Sequence, residues 1–246
     1  MSKVQRAIIM AAGEGRRMYP LTKSVPKPLI EVNGVRMIDT VIEALHINGI
    51  WEIYVVTGYR KEDFLPLVRQ YPGLRLIENP DYAGTNNISS LYAAREHLEN
   101  AMILDADQII HNPDVLSPVF ERSGYNAVWN EEPTREWLMQ VNEEGIVTSC
   151  SRDGGRIGWQ LYSISRWNSA DGQKLQRLLE LEYVTRGRRD IYWDDVAMFC
   201  HPEEFALGIR PMKRTDVVEI DSLEELARAD GRYTDYVRQA HRGIPV

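Results

Sequence analysis

Short apolar runs alternate with amphipathic stretches throughout the first half of the chain, from Gln5 to about Asn130. The runs have the length of buried strands, and the stretches between them repeat apolar residues at the spacing of a helix with one buried face. Repeated strand–helix–strand units predict an α/β fold with a mostly parallel sheet flanked by helices on both faces. The predicted elements are strands at 7–10, 53–57, 74–78, 102–104 and 127–129 and helices at 37–47, 61–70, 89–98 and 113–121.

The second half of the chain is less regular. The patterns there predict a small antiparallel region with strands at 138–141, 146–150 and 160–164, then helices at 172–183 and from 195, a strand at 217–220 and a helix at 222–239. No linker or internal repeat separates the halves, so we expect one domain over residues 1–246, with halves of about 1–130 and 131–246. Ligands of such sheets bind at the carboxyl ends of the strands, so the residues that follow the apolar runs are candidates for a functional site.

The charge balance is acidic, with 29 Lys and Arg against 36 Asp and Glu and a formal net charge of −7. This balance argues against a general nucleic-acid or membrane-surface binder, so an anionic ligand must be met by a local basic patch. The two cysteines, Cys150 and Cys200, have the spacing of neither a zinc site nor a CxxC pair. No signal peptide or membrane span is predicted, and we expect a reduced, cytoplasmic protein whose oligomeric state the sequence leaves open.

A basic, glycine-rich loop follows the first predicted strand. Its small residues let the backbone approach a phosphate closely, and Arg16, Arg17 and Lys27 add positive charge over the same anion. The candidate nucleotide-binding residues of this loop are Ala11, Ala12, Gly13, Glu14, Gly15, Arg16 and Arg17. The loop is not a dinucleotide fingerprint, because Met18 replaces the third glycine, and no G-K-[ST] follows as in a Walker A loop. A structural turn with solvated arginines is the alternative.

The string MAAGEGRRMYPLTKSVPKPLIEVNG, residues 10–34, resembles the signature of the sugar-nucleotide pyrophosphorylase and cytidylyltransferase superfamily. That signature has the form A-A-G-x-G-[ST]-R-[LM]-x-P-L-T followed by P-K-P-[LM], and the chain departs from it at Arg16, which puts the hydroxyl contact made there in doubt. The resemblance implies a Rossmann-like, GT-A-like nucleotidyltransferase whose first half binds a nucleoside triphosphate and whose second half binds an acceptor. It also implies that Arg17 and Lys27 hold the triphosphate and that Lys27 stabilises charge at the phosphorus under attack.

Two aspartates follow the predicted strand at 102–104. Asp105 and Asp107 would point to the same side of an extended chain, and carboxylates at a strand end beside a phosphate loop are suitable ligands for Mg²⁺. Asp107 is the first-choice metal ligand, whereas Asp105 would orient the loop or contact the acceptor and is also a candidate nucleotide-binding residue. Asp221 matches the place of the second metal aspartate in the superfamily. Alternatively, Asp221 or Ser222 only caps the helix that follows.

Aromatic and acidic residues occur together where the acceptor is expected, at Trp137 and in the string DIYWDD, residues 190–195. A quaternary ammonium cannot donate a conventional hydrogen bond and is best held by ring faces with negative charge nearby. A choline-like site is therefore one interpretation of these residues. The other is that the tryptophans belong to the core and that an aspartate caps the helix from 195.

Five further strings are similar, in the same order, to strings of LicC-type CTP:phosphocholine cytidylyltransferases: NPDYAGTNNISSLYAAREHL, ILDADQ, EEPTREWLM, RDIYWDDV and VEIDSLEE. This resemblance implies Mg²⁺-dependent transfer of CMP from CTP to phosphocholine, giving CDP-choline and pyrophosphate. It also implies a choline cage formed by Trp137, Tyr192 and Trp193, with Asp194 or Asp195 as the counter-charge. A sugar 1-phosphate or an aminoalkylphosphonate is the alternative acceptor, and a catalytically silent nucleotide sensor is the alternative from another class.

Four residues are predicted to lie around the base. Asn87 and Ser90, together with Gly58 and Tyr59 after the second strand, would surround the edge of the cytosine. The alternative for the polar string at 85–90 is plain capping of the helix that follows it. The pattern does not distinguish CTP from UTP. No general base is needed, because a phosphomonoester is mostly dianionic at pH 7 and catalysis reduces to alignment and charge neutralisation.

Overall fold

The computed structural model describes residues 1–241, and residues 242–246 of the predicted domain lie outside this range. Its strands, in chain order, are β1 (Ser2–Lys3), β2 (Arg6–Ala11), β3 (Glu31–Val32), β4 (Val35–Arg36), β5 (Glu52–Thr57), β6 (Leu74–Glu78), β7 (Ala101–Asp105), β8 (Gln108–Ile110), β9 (Val119–Phe120), β10 (Gly124–Asn130), β11 (Leu138–Val141), β12 (Val147–Ser151), β13 (Gly158–Trp167), β14 (Gly208–Pro211) and β15 (Val217–Glu219). Its α-helices are α1 (Met37–Ile47), α2 (Leu65–Gln70), α3 (Ile88–Ala93), α4 (Ser169–Glu180), α5 (Leu223–Ala229) and α6 (Thr234–His241).

Within residues 1–241, nine strands form one mixed sheet. Strands β6, β5, β2 and β7 are neighbours in that order and pair in parallel. Strand β13 pairs antiparallel with β7, β10 and β11, and β14 pairs in parallel with β10. The predicted α/β class is therefore confirmed. The predicted antiparallel region is present too, and its strands β10, β11, β12 and β13 continue the same sheet.

Two apolar layers cover the sheet because the central strands are buried on both faces. Ile9 of β2 faces a cluster that contains Val41 and Leu45 of α1. Ile8, its neighbour, faces the opposite cluster, which contains Leu91 of α3 and Leu175 of α4. At about 25 cal/mol per Å² of buried apolar surface, these layers supply the main driving force for the fold. They hold the carboxyl ends of β2 and β7 at a common edge.

Three predicted helices differ from the structure. Residues 113–121 form a 3₁₀ turn at Pro113–Leu116 and then strand β9, because Pro118 cannot donate a helical hydrogen bond and forces Ser117 into an extended conformation. The helix predicted at 222–239 is interrupted after Ala229, where Asp230 is extended and its side chain accepts a hydrogen bond from the backbone N–H of Arg232. The helix predicted from 195 is a single π-helical turn, Val196–Cys200. No helix within residues 1–241 has the length and apolar content to cross a bilayer.

Candidate active site

A cleft of about 360 Å³ opens at the carboxyl ends of β2 and β7. Strands of a parallel sheet end at the same edge, so the loops that follow them meet there. The structure brings these predicted residues together in the lining of the cleft: Ala11, Ala12, Gly13, Gly15, Arg16, Arg17, Lys27, Asn87, Ser90, Asp105, Asp107 and Asp221. Sequence positions more than 200 residues apart therefore share one site.

The glycine-rich loop keeps its backbone open to this cleft. Nothing lies within 4 Å of the position that a Cβ would take at Gly13. Gly15 has a φ of +64°, and a Cβ there would meet Thr22 at 3.0 Å and Lys27 at 3.1 Å. Gly15 is therefore required both by its left-handed backbone and by the close approach of Lys27. Glu14 pairs with Arg16 at 2.6 Å and lines an adjacent cavity, not the cleft itself.

Lys27 is the central cation of the cleft. Its Nζ donates to Asp107 Oδ2 at 2.6 Å and to Asp221 Oδ1 at 2.8 Å, although the residue is only 8% exposed. Burial opposes its charge, but the two carboxylates outweigh burial and raise the pKa of Lys27 above its ordinary value. Arg17, which is largely exposed, reaches the same Asp221 Oδ1 at 2.6 Å. Arg17 and Lys27, which the family resemblance assigns to the triphosphate, therefore both contact the carboxylate of Asp221.

Asp221 does not act as the helix cap. The cap of α5 is Ser222, whose side chain accepts from the N–H of Glu225, and Glu225 in turn accepts from the N–H of Ser222. This reciprocal arrangement leaves the Asp221 carboxylate to face Lys27 and Arg17. Burial works against its charge, yet Lys27 and Arg17 hold the pKa of Asp221 below its ordinary value.

A group of three carboxylates lies beside Lys27 and could hold a metal ion. One oxygen each from Asp105, Asp107 and Glu219 lies within 4.8 Å of the others, and Asp107 Oδ1 is buried without a hydrogen-bond partner among residues 1–241. Burial and the neighbouring carboxylates raise the pKa of Asp105 and of Glu219 well above their ordinary values. These three carboxylates bring their oxygens close together, repel one another, and leave Asp107 Oδ1 free to accept. A small divalent cation would fit such a group of oxygens. The sequence did not indicate Glu219, since only the pairing of β15 with β8 brings it opposite Gln108.

A second cavity, of about 310 Å³, adjoins the cleft on the side of α3. Asn87 and Ser90 line both, as do Ala12 and Gly13 of the loop. Gly58 and Tyr59 line neither, so their predicted contact with the base is not supported. A Cβ at Gly58 would lie 2.6 Å from the ring of Tyr82, which does line the second cavity. Gly58 therefore makes room for Tyr82, a residue that sequence analysis missed because nothing local marks it.

The predicted aromatic cage is only partly present. Trp193 is 2% exposed and packs against Tyr125 and Trp167 in the core, so its assignment to the cage was wrong. Tyr192 is 45% exposed, and its ring lies edge-on to Trp137 with 5.6 Å between centroids. The adjacent residues Tyr192 and Trp193 therefore face opposite ways, one toward solvent and one toward the core. The packing of the core decides which of the two is buried.

A cation of the chain already occupies this aromatic group. The guanidinium of Arg152 lies 4.0 Å from the ring centroid of Phe199 and 5.7 Å from that of Trp137. It also pairs at 2.6 Å with Asp195, which is buried and accepts from the N–H of Tyr192. Asp195 is therefore neutralised within the chain.

Asp194 differs from Asp195 in having no cationic partner within residues 1–241. It is 8% exposed, and its buried Oδ1 has no other donor in that range than the neighbouring Tyr125 hydroxyl. Burial raises the pKa of Asp194 to about 7. Its charge in turn raises the pKa of Asp105, which lines the cleft. Asp194 is thus a buried acceptor near the carboxylate group of Asp105, Asp107 and Glu219.

Glu182 anchors the segment that carries the residues predicted to bind the acceptor. It is fully buried, and it accepts from Arg186 Nη1 at 2.6 Å and contacts His201 Nε2 at 2.7 Å. These contacts tie the two π-helical turns, Leu181–Thr185 and Val196–Cys200, to each other across the intervening loop. Trp193 N in that loop donates to Asn87 Oδ1, which joins the segment to α3 and the cleft.

The fold and this site define a nucleotidyltransferase. The chain belongs to the family described as MobA-like NTP transferase domain, which matches residues 7–190. It is 39% identical over 234 residues to a 2-aminoethylphosphonate cytidylyltransferase of Lancefieldella rimae, covering 94% of each chain. It is 32% identical over 225 residues to a choline-phosphate cytidylyltransferase of Streptococcus pneumoniae, covering 92% of this chain and 96% of that one. The solved structure of CTP:phosphocholine cytidylyltransferase (LicC) from Streptococcus pneumoniae superposes with a TM-score of 0.84 at 32% identity, covering 94% of this chain and 99% of that one.

Proposed function

We propose that this cytidylyltransferase moves CMP from CTP to a small acceptor that carries a phosphonate or phosphate at one end and a primary ammonium at the other, with 2-aminoethylphosphonate as its substrate. An acceptor oxygen attacks the α-phosphorus, and the new P–O bond forms as the bond to pyrophosphate breaks. Pyrophosphate leaves with the electron pair of that bond. The proposal for the nucleotide end is carried by Lys27, whose Nζ lies between Asp107 and Asp221 in the cleft lined by the glycine-rich loop.

At the nucleotide end, the residues of this chain bind and orient charge. Arg17 and Lys27 would hold the phosphates, and the open backbone at Gly13 would donate its N–H to a phosphate oxygen. Asp107, with Asp105 and Glu219 and with Asp221 nearby, would hold a divalent cation, which we propose to be Mg²⁺ and which would neutralise charge on the departing pyrophosphate. Asn87 and Ser90, with Tyr82, would form the base pocket.

At the acceptor end, hydrogen-bonding capacity favours a primary ammonium. Asp194 Oδ1 is a buried acceptor with no donor among residues 1–241 other than the neighbouring Tyr125 hydroxyl, and a primary ammonium supplies three donors whereas a trimethylammonium supplies none. The aromatic group at Trp137 and Phe199 already holds the Arg152 guanidinium. The 39% identity to the 2-aminoethylphosphonate enzyme over nearly the whole chain points the same way.

Phosphocholine is the second candidate. The exposed ring of Tyr192 beside Trp137 would offer a face to a quaternary ammonium if Arg152 moved away, and a 32% identical relative uses choline phosphate by its name. Four acceptors separate the two candidates: 2-aminoethylphosphonate, its N-trimethyl derivative, phosphoethanolamine and phosphocholine. This set varies the ammonium and the phosphorus group independently.

The test measures pyrophosphate release with each acceptor, Mg²⁺, and CTP or UTP in parallel. We expect the two primary ammonium acceptors to have the higher kcat/KM and 2-aminoethylphosphonate to have the highest. A preference for both trimethylated acceptors would instead establish the choline-type enzyme. No pyrophosphate with any of the four would refute the acceptor class, and UTP used as well as CTP would refute the base assignment.

Asp194→Asn tests the acceptor contact directly. The variant should raise KM for 2-aminoethylphosphonate by about tenfold or more, because a hydrogen bond to a charged group contributes about 1.5–3 kcal/mol, and should leave KM for CTP nearly unchanged. Asp114→Asn, at an exposed position on another turn, is the matched control. An equal rise in both KM values would show that Asp194 supports the cleft in general and does not read the acceptor.

A further inference from the structure

A hollow of about 440 Å³, distinct from the two cavities described above, lies where β14 pairs with β10. None of its lining residues lines the catalytic cleft. Gly124 of β10 and Gly208 of β14 are direct partners in the sheet, so the floor of the hollow carries no side chain at this pair. A Cβ at Gly208 would meet Arg122 Cδ at 3.2 Å, which places the stem of Arg122 directly above the floor. The volume is within the range of about 300–1,000 Å³ typical of small-molecule sites.

Arg166 forms part of the wall and is buried without a counter-ion. It is 2% exposed, and its three hydrogen bonds go to neutral acceptors: the carbonyl oxygens of Ser117 and Val115 and the side-chain oxygen of Asn126, at 3.0, 2.6 and 2.6 Å. No carboxylate within residues 1–241 forms an ion pair with it. Buried arginine is nearly always paired, because an isolated charge is costly to remove from water.

Two more arginines line the same hollow. Arg122 donates to the carbonyl oxygen of Glu144 at 3.1 Å, and Arg210 donates to that of Val119 at 3.0 Å, so neither is paired with a carboxylate in the described part of the chain. Burial, and then the charge of Arg210, lowers the pKa of Arg166 to about 9. Burial also lowers the pKa of Arg210. Three arginines therefore line one hollow without forming an ion pair among residues 1–241, in a protein whose formal net charge is −7.

We propose that this hollow is a binding site for a small phosphate-class oxyanion, separate from the catalytic cleft. The planar guanidinium groups of Arg122 and Arg210 each have N–H donors left over for the bidentate geometry that phosphate oxygens accept. The buried charge of Arg166 adds a long-range attraction that solvent screens weakly. The exposed carboxylates of Glu121 and Glu144 at the rim disfavour loosely held anions, so a ligand must contact the arginines directly.

The test titrates inorganic phosphate into the protein by calorimetry, at constant ionic strength and without CTP or acceptor. Two double variants separate the sites: Arg122→Gln with Arg210→Gln in the hollow, and Arg16→Gln with Arg17→Gln in the catalytic loop. We expect saturable binding that weakens by about tenfold or more in the first variant and persists in the second. Unfolding midpoints of both variants serve as the check on folding, since Arg122 and Arg210 each donate only one hydrogen bond to the chain.

Binding that is lost only in the catalytic-loop variant, or no saturable binding in the wild type, would overturn the proposal. Glu144→Gln provides a third arm, since removing a rim carboxylate should tighten phosphate binding. Weaker binding in Glu144→Gln would count against the site. The measurement needs no turnover, so its failure is distinguishable from a failure of the proposed transferase reaction.

Discussion

Replacing Lys27 by methionine removes the cation that joins Asp107 and Asp221 while keeping much of the side-chain volume. The side chain of Lys27 is 10% exposed, and those of Asp107 and Asp221 are 21% and 28% exposed. Removing one partner of a buried ion pair costs about 3–5 kcal/mol, and the partial exposure of the carboxylates lowers this to about 2–3 kcal/mol. For a chain of this length, that corresponds to a fall of about 4–12 °C in Tm.

The loss should depend on the divalent cation. Without Lys27, the carboxylates of Asp105, Asp107, Asp221 and Glu219 lose the cation between them, and Arg17 is the one ion-paired cation left to them within residues 1–241, so Mg²⁺ should restore part of the lost stability. Activity should fall by about 10²–10³-fold even with Mg²⁺ present, since the charge beside the reacting phosphorus is gone. Calorimetric unfolding with and without Mg²⁺, together with pyrophosphate release, measures both effects.

Lys61→Met is the matched control for this variant. Lys61 pairs with Glu78 at the same 2.6 Å as Lys27 with Asp107, but both partners are exposed, with 42% and 54% of their side chains accessible. We expect a loss below about 1 kcal/mol there and full activity. A Lys27→Met protein as stable as Lys61→Met without Mg²⁺, or one with activity within about tenfold of the wild type, would refute the reasoning.

Four further predictions concern carboxylates that are partly or fully buried. Asp105→Asn and Glu219→Gln should each stabilise the metal-free protein, because burial and mutual repulsion raise both pKa values, and each should weaken Mg²⁺ binding at least about tenfold in a calorimetric titration. The kcat/KM for 2-aminoethylphosphonate should rise with pH through about 7, the pKa to which burial raises Asp194, because only the ionised form attracts an ammonium. The pKa of Asp194 in the folded state lies above its ordinary value of 3.8, so the folded protein binds this proton more tightly than the unfolded chain does. The stability that Asp194 contributes below about pH 4 is therefore lost as pH rises toward 7. Asp194→Asn should accordingly gain stability over the wild type from pH 4 to pH 8. Glu182→Gln should lower Tm by several degrees and raise KM for the acceptor more than KM for CTP, because Glu182 holds the segment that carries the acceptor residues.

Each of these has a contrary outcome. Unchanged Mg²⁺ affinity in Asp105→Asn and Glu219→Gln would place the ion elsewhere. A pH profile for Asp194→Asn that still rises through about 7 would assign the titration to another group. Equal changes of both KM values in Glu182→Gln would show a general loss of structure and no specific support of the acceptor segment.

Some features of this protein could be predicted from its sequence because they depend on the chemistry of adjacent residues. The helix predicted at 37–47 has those bounds in the structure, since its apolar spacing and its end at Asn48 are properties of adjacent residues. The small and basic residues of the loop at 11–27 likewise lie close together in the sequence, so their combination could be recognised without the structure. Asp107 was predicted as a metal ligand from its place after a strand. The family, the fold class and the enzyme class predicted from these features are confirmed.

Register and packing decided the rest. Glu219 joins the carboxylate group because β15 pairs with β8, and Tyr82 lines a cavity because Gly58 lacks a side chain. Trp193 is buried and Tyr192 is exposed, although both are aromatic neighbours in one string. The sequence by itself determined a nucleotidyltransferase and the basic, glycine-rich loop that lines its cleft, because the residues of that loop are contiguous. Only the tertiary structure decided which carboxylates converge and which stay unpaired, because burial and charge compensation depend on residues that meet from distant segments.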